Sequence, residues 1–101
     1  MSRVVLLEEA VVDLEAGRRF YERQEPGIGN YFIRSLSVDL EALELEHGIH
    51  ARHFGLHRQL ARRFPYGIYY RETADQTQVV AILDLRRDPE RNRLALLQRV
   101  S

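Results

Sequence analysis

The sequence predicts an α+β fold: an N-terminal strand and a two-helix hairpin packed on an antiparallel β-meander, with a short C-terminal helix. Three observations predict it. Apolar residues recur at helical spacing through the first half of the chain. After Gly48 that periodicity gives way to short runs of aromatic and β-branched residues. Few residues separate the successive elements, so neighbours in sequence are expected to be neighbours in space.

The segment 3–7 (RVVLL) is short and β-branched and reads as a strand. Glu8 and Glu9 follow it, acids that favour the positive end of a helix. Over 10–24, Ala10, Leu14, Gly17 and Tyr21 line one helical face, widened by Val11 and Phe20, with most charged residues elsewhere. Glu25-Pro26-Gly27-Ile28-Gly29 must end that helix, and Asn30 is placed to cap the next one over 31–46, where Ile33, Leu36, Leu40 and Leu43 form the apolar stripe. Arg34, Asp39, Glu41, Glu44 and Glu46 lie largely off it. His47-Gly48 closes that helix.

Three strands are expected at 58–64, 66–73 and 78–85, the last two joined by the polar hairpin loop Ala74-Asp75-Gln76-Thr77. Phe64-Pro65-Tyr66-Gly67 marks a reversal between the first two, because proline removes a ladder donor. Alternation sends Ile68 and Tyr70 to one face and Tyr69 and Arg71 to the other. In the last strand it groups Val79, Ala81, Leu83 and Leu85 as the core face, opposite Val80, Ile82, Asp84 and Arg86. Consecutive hairpins imply a meander with one face on the helices. Asp88-Pro89-Glu90 then opens a short helix, with Leu94, Leu97 and Val100 at helical spacing.

With 101 residues the chain has room for one core, so residues 1–101 read as a single domain. Cysteine is absent, which excludes disulfides, thiolate metal sites and a cysteine nucleophile, and removes any need for an oxidising compartment. The longest aliphatic run, 79–83, is far short of a bilayer span, and the first residues lack a signal-peptide core. A soluble, unprocessed, cytoplasmic protein is expected.

Net charge is zero but unevenly spread. Residues 1–50 hold ten acids against five arginines and residues 51–101 hold five against ten, formal charges of −5 and +5. Every basic residue except the histidines is arginine, whose planar fork suits carboxylate or phosphate.

Ala10-Val-Val-Asp13-Leu14, Phe20-Tyr21-Glu22 and Pro26-Gly27-Ile28-Gly29-Asn30-Tyr31-Phe32 resemble the helical signature of ParE-type toxins. Arg62-Arg63-Phe64-Pro65-Tyr66-Gly67-Ile68-Tyr69-Tyr70-Arg71 and Arg86-Arg87-Asp88-Pro89 are similar to strings of the RelE/ParE toxin superfamily, nearest its ParE branch. The matches run over 10–89. The resemblance implies the toxin of a type II toxin-antitoxin system, acting on DNA gyrase and neutralised by a cognate ParD-like antitoxin with a disordered acidic and apolar tail. The RelE branch implies instead a ribosome-dependent mRNA endonuclease, and a third reading is an inactive interaction module. Three departures bear on function more than on fold. Asp84 stands where relatives commonly have histidine, Asn92 where they commonly have tryptophan, and the proline after the second helix is missing.

Cleavage of RNA needs a proton-transfer group, a phosphate clamp and a donor to the leaving oxygen. Arg62, Arg63, Arg71, Arg86 and Arg87 supply a clamp, but the tail after Asp88 has neither histidine nor tyrosine, and Asp84 would repel phosphate unless a metal or an arginine intervened. No catalytic residue is assigned. Candidate target-binding residues are Arg62, Arg63, Arg71, Asp84, Arg86 and Arg87, and candidate antitoxin-binding residues are Arg62, Arg71, Arg86 and Arg87. A solvated or ion-paired strand face is the plainer account of any single one of them. His47, His50, His53 and His57 would align as a zinc or nickel site on one continuous helix, but Gly48 and Gly55 interrupt it, so they read as connector residues and no metal or cofactor is expected. Tyr66, Tyr69 and Tyr70 read as core and hairpin aromatics before base-stacking platforms.

Overall fold

The computed structural model describes residues 2–100. Its elements are β1 (Arg3–Leu6), α1 (Glu8–Gln24), α2 (Ile28–Glu46), β2 (Arg52–His53), β3 (Leu56–Leu60), β4 (Tyr66–Glu72), β5 (Gln76–Asp84) and α3 (Pro89–Val100). They build one five-stranded sheet in the order β1-β5-β4-β3-β2. The predicted α+β architecture is present, with two additions. β1 joins the sheet parallel to β5, Arg3 opposite Gln76 and Leu6 opposite Val79, and a two-residue β2 extends the other edge. A pairing across most of the chain leaves no local signal, which is why the sequence gives β1 as a strand but not its partner. The strand expected at 58–64 runs instead from Leu56 to Leu60, and 61–65 forms the reversal, closed by Ala61 N–H donating to the Tyr66 carbonyl at 2.9 Å.

The two long helices lie close together. A Cβ at Gly17 would sit 2.6 Å from Cζ of Phe32, a side chain that is fully buried, so the approach requires glycine on α1. The turn between them is shorter than expected, and Asn30 is not the cap. Gly27, at φ 95°, holds the position before α2, and the Glu22 carboxylate of α1 accepts from the backbone N–H of Gly27 at 3.1 Å and of Gly29 at 3.0 Å. An acid one helix back thus satisfies open donors at the start of α2.

The sheet is buried on both faces, where the sequence suggested one. On one side Ala10, Phe32, Leu36 and Leu43 of α1 and α2 pack on Tyr66, Ile68, Tyr70, Val79 and Ile82. On the other, Leu96 of α3 packs with Leu56, Tyr69, Val80, Ala81 and Leu83. The expected separation of Ile68 and Tyr70 from Tyr69 holds. The grouping of Val79 with Ala81, Leu83 and Leu85 does not. Tyr70 opposes Val79 while the adjacent Tyr69 opposes Ala81, so Val80 is an extra residue in a β-bulge. One inserted residue reverses the alternation, sending Val79 and Ile82 to the helical layer and Ala81 and Leu83 to α3.

α3 exists where expected but presents a different face. Leu94, Leu97 and Val100 are exposed, whereas Asn92 and Leu96 are buried. Polar contacts fix this orientation. Asn92 Nδ2 donates to the Asp84 carbonyl at 2.9 Å, and Arg99 donates through both terminal nitrogens to the Asp13 carboxylate and through one to the Val80 carbonyl at 3.3 Å. The Asp13 carboxylate also accepts from Ile82 N–H at 2.9 Å. β1 ends beside Val79, so among the described residues the outer edge of β5 beyond it lacks a strand partner. The Asp13–Arg99 pair meets backbone groups left open there. Hydrophobic periodicity cannot see such a contact, so the regularly spaced Leu94, Leu97 and Val100 do not mark the buried face of α3.

Candidate functional site

Four of the five arginines singled out in the sequence lie at one end of the sheet, where the β3–β4 reversal meets the segment after β5. Tyr66 is paired with Asp84, and Leu85 N–H donates to the Pro65 carbonyl at 2.8 Å, so the turn carrying Arg62 and Arg63 is tied to the chain just before Arg86 and Arg87. Phe64 anchors the same turn. Its ring lies 4.7 Å from that of Tyr21, 5.0 Å from Phe32 and 5.6 Å from Tyr31, joining both helices to the loop.

Tyr21 carries the linkage outward. Arg86 Nη2 donates to the Tyr21 hydroxyl at 3.1 Å, and Arg86 holds the Asp84 carboxylate through two charge-assisted hydrogen bonds of 3.1 and 3.0 Å. Arg86 is therefore exposed but held in one orientation. Beside it a groove of about 410 Å³ runs between α1 and the open edge of β5, lined by Asp13, Gly17, Phe20, Arg23, Asp84 and Arg87 among others. A second, smaller pocket of about 190 Å³ lies between α2 and the β3–β4 turn, with Arg34, Arg62 and Arg63 around it.

The ionisation states follow from burial and these contacts. Burial is the largest influence on Asp84 and pushes its carboxyl up, but the hydrogen bonds and charge of Arg86, with Arg87, outweigh it and hold the group below the usual carboxylate range. The Arg86 guanidinium is raised, chiefly by its hydrogen bonds to Asp84. Burial and the nearby Asp84 charge push the Tyr66 phenol up to about 12. Burial likewise raises Tyr21, opposed by Arg86. At neutral pH this end presents an ionised Asp84 locked to an arginine, and two neutral phenols.

Arg71 stands apart, a correction to the single five-arginine clamp. It lies opposite Gln78 near the other end of β4, five positions from Tyr66 and so roughly 17 Å along the strand, and its Nε donates to Gln78 Oε1 at 2.9 Å. The histidines gather toward that distant end too. His57 stacks on Tyr70 with ring centroids 5.1 Å apart, His50 Nδ1 is 2.6 Å from the Tyr70 hydroxyl, and His47 Nδ1 is 2.8 Å from a Glu72 carboxylate oxygen. They occupy a helix end, a connector and a hairpin, not one helix. Among the described residues no group of three or more potential metal ligands is brought together.

Sequence reasoning missed Tyr21, Arg23, Tyr31 and Arg34 as members of this end, although each stood inside a recognised helix. Their signal was weak. Spacing puts Tyr21 on the core face of α1, and Arg23 and Arg34 read as solvated helical charges. It also missed Asp39, placed off the buried stripe. Asp39 is 2% exposed and accepts from Arg62 N–H at 3.3 Å, while its own carbonyl accepts from Gln59 Nε2 at 2.9 Å. Burial raises its carboxyl, opposed by the Arg62 amide and by the charges of Arg62 and Arg63.

The architecture, an α+β fold of strand, helical hairpin, antiparallel-rich sheet and short terminal helix, is shared with a protein of known structure. The comparison that carries this is with a solved structure described as the chromosomal ParDE TA system from P. aeruginosa. One of its chains superposes with a TM-score of 0.73 over 81% of this chain and 94% of that one, at 16% sequence identity. No protein-family model matches the sequence, and no curated protein sequence matches it significantly. The likeness is thus one of fold, preserved where sequence identity has nearly vanished. Among the described residues no helix is long and apolar enough to cross a membrane.

Proposed function

We propose that the chain is the toxin of a type II toxin-antitoxin system, a ParE-like inhibitor of DNA gyrase held inactive by a ParD-like antitoxin. The observation that carries this reading is the joined arginine end of the sheet, built on the fold of a protein solved as part of a ParDE system. Arg62, Arg63, Arg86 and Arg87 offer guanidinium groups on a rigid base, suited to steering toward an acidic protein surface or DNA-bound complex. Arg71, distant from the others, is assigned to a separate contact.

The chemistry of this end favours grip over proton transfer. A general acid or base works best when its proton affinity lies near the working pH. Here Asp84 is held ionised by Arg86, Tyr66 is pushed up to about 12, and the histidines lie toward the other end of the sheet. That supports a binding inhibitor over the mRNA-cleaving alternative.

The test pairs two assays on purified protein: gyrase supercoiling with detection of cleaved DNA, and translation with mapped mRNA ends. Gyrase-dependent DNA cleavage with intact transcripts is expected. New transcript ends without an effect on gyrase would overturn the proposal in favour of an endonuclease, and neither effect would favour an interaction module. Arg86→Ala combined with Arg87→Ala should relieve growth arrest while leaving the fold intact, at a cost above the about 0–1 kcal/mol of an exposed pair, because the Asp84 side chain that Arg86 holds is only 15% exposed.

A further inference from the structure

The pocket between α2 and the β3–β4 turn is chemically distinct from the groove beside Arg86. Tyr31, Arg34 and Ser35 come to it from the first turns of α2, Asp39 from one turn on, and Arg62 and Arg63 from the facing turn. Among the described residues none of the three guanidinium groups is in an ion pair within 4.0 Å, although Arg18, Arg86, Arg93 and Arg99 all are. Arg63 is 6.0 Å from the centre of the Tyr31 ring, which holds it toward the pocket. Ser35 is more than nine-tenths buried, at 7% exposure, and its hydroxyl has no hydrogen-bond partner among the described residues. A buried polar group without a partner is disfavoured unless something else supplies one.

We propose that this pocket is an anion site for a single carboxylate side chain of an acidic protein segment, gripped by Arg34 and Arg63 and reached by the Ser35 hydroxyl. Size and surroundings select that occupant. At about 190 Å³ the pocket is smaller than the sites that hold drug-sized ligands and matches one side chain. Its rim is apolar on the α2 side, where Tyr31 and Val38 are 38% and 58% exposed, so a segment alternating acidic and apolar residues would cover both parts. Nucleic acid fits less well. A phosphate backbone carries a charge at every unit continuing past the pocket, where Glu41, Glu44 and Glu46 follow on the same helix, whereas an alternating segment sets apolar residues between its charges.

This deepens the antitoxin half of the function proposed above and rests on it, but not on gyrase. The test uses fluorescence anisotropy on the whole chain with three fluorescein-labelled probes: a peptide alternating glutamate and leucine, the same peptide with glutamine, and a single-stranded oligodeoxynucleotide. Saturable binding of the glutamate peptide is expected, with the glutamine peptide weaker by on the order of ten-fold. Arg34→Gln and Arg63→Gln should each weaken the glutamate peptide by a similar factor, and Arg52→Gln, on the edge strand β2, should not.

Ser35→Ala separates a binding hydroxyl from a structural one. It removes an unsatisfied buried group and places alanine in a helix, so the variant should melt no lower than the parent while binding the glutamate peptide several-fold more weakly. Equal binding of the two peptides would overturn the proposal. So would Arg34-dependent binding of the oligonucleotide alone, or peptide binding indifferent to Arg34→Gln and Ser35→Ala. If that indifferent binding were instead lost in Arg71→Gln, the acidic segment would lie elsewhere, and the antitoxin reading would stand without this pocket.

Discussion

Replacing Asp13 with alanine removes three contacts at once. The Arg99 guanidinium, 14% exposed, loses the carboxylate that both its terminal nitrogens engage, and Ile82 N–H loses its acceptor on the open edge of β5. Glu9 remains 3.4 Å from Arg99 Nε, but it is 65% exposed and compensates weakly. Stranding one member of a buried pair costs about 3–5 kcal/mol, and the partial substitute places this case near the lower end, about 3 kcal/mol. For a domain of this size about 1 kcal/mol corresponds to roughly 4–8 °C, so Asp13→Ala should lower the melting temperature by at least about 12 °C. Arg99→Met leaves Asp13 bonded to Ile82 and should cost less, about 1–3 kcal/mol. The double variant should lose about 1–3 kcal/mol less than the sum of the two. Urea denaturation gives the energies, and amide hydrogen exchange reads the mechanism. Ile82 should lose protection in Asp13→Ala and keep most of it in Arg99→Met. Additive losses, or equal Ile82 exchange in every variant, would refute the idea that this pair closes the edge of β5.

Gly17→Ala should destabilise by about 1–3 kcal/mol, because the added methyl would stand 2.6 Å from the Phe32 ring in a packed core; an unchanged urea midpoint would contradict that. Tyr66 is fully protonated below the unfolded tyrosine value near 10 and ionises in the folded state only at about 12. Its contribution to stability is therefore constant below about pH 10 and lost as pH rises from there toward 12. Tyr66→Phe should flatten that alkaline loss, as followed by urea midpoints against pH. Asp84 has the opposite sign. Its lowered folded value stabilises above the ordinary carboxylate range and is lost on acidification through it, so Asp84→Asn should weaken the acid dependence in the same experiment. Asn92→Ala removes the donor to the Asp84 carbonyl and should cost about 1 kcal/mol, with α3 amides exchanging faster than those of α1.

What the sequence disclosed and what it withheld divide along a physical line. Periodicity exposed α1 and α2 because each buries a continuous stripe, and the proline–tyrosine–glycine run marked the reversal before β4. The bulge at Val80 was invisible, since a strand apolar on both faces reads the same with or without an inserted residue. α3 misled for the opposite reason. Its three regularly spaced aliphatics face outward, and the inward face is set by Asn92 and Arg99 through hydrogen bonds. At the candidate site, Arg62, Arg63, Arg86 and Arg87 were legible as clustered strings. Tyr21 and Arg34 were not, because membership depends on how the helical hairpin crosses the end of the sheet. Arg71 looked equivalent to its neighbours in sequence, yet five residues of extended chain carry it well away.

The pairing of Arg3 with Gln76 also dictates an order of assembly during synthesis. β1 emerges from the translation machinery first but has no strand to join until β5 follows, at 5–20 residues per second roughly 4–15 s later. Meanwhile the helical hairpin is complete, and Phe32, Leu36 and Leu43 await the strands that cover them. The strand of this sheet that is made first is thus among the last to find its place, and a nascent chain stalled before residue 76 would display its apolar hairpin to any chaperone or partner within reach.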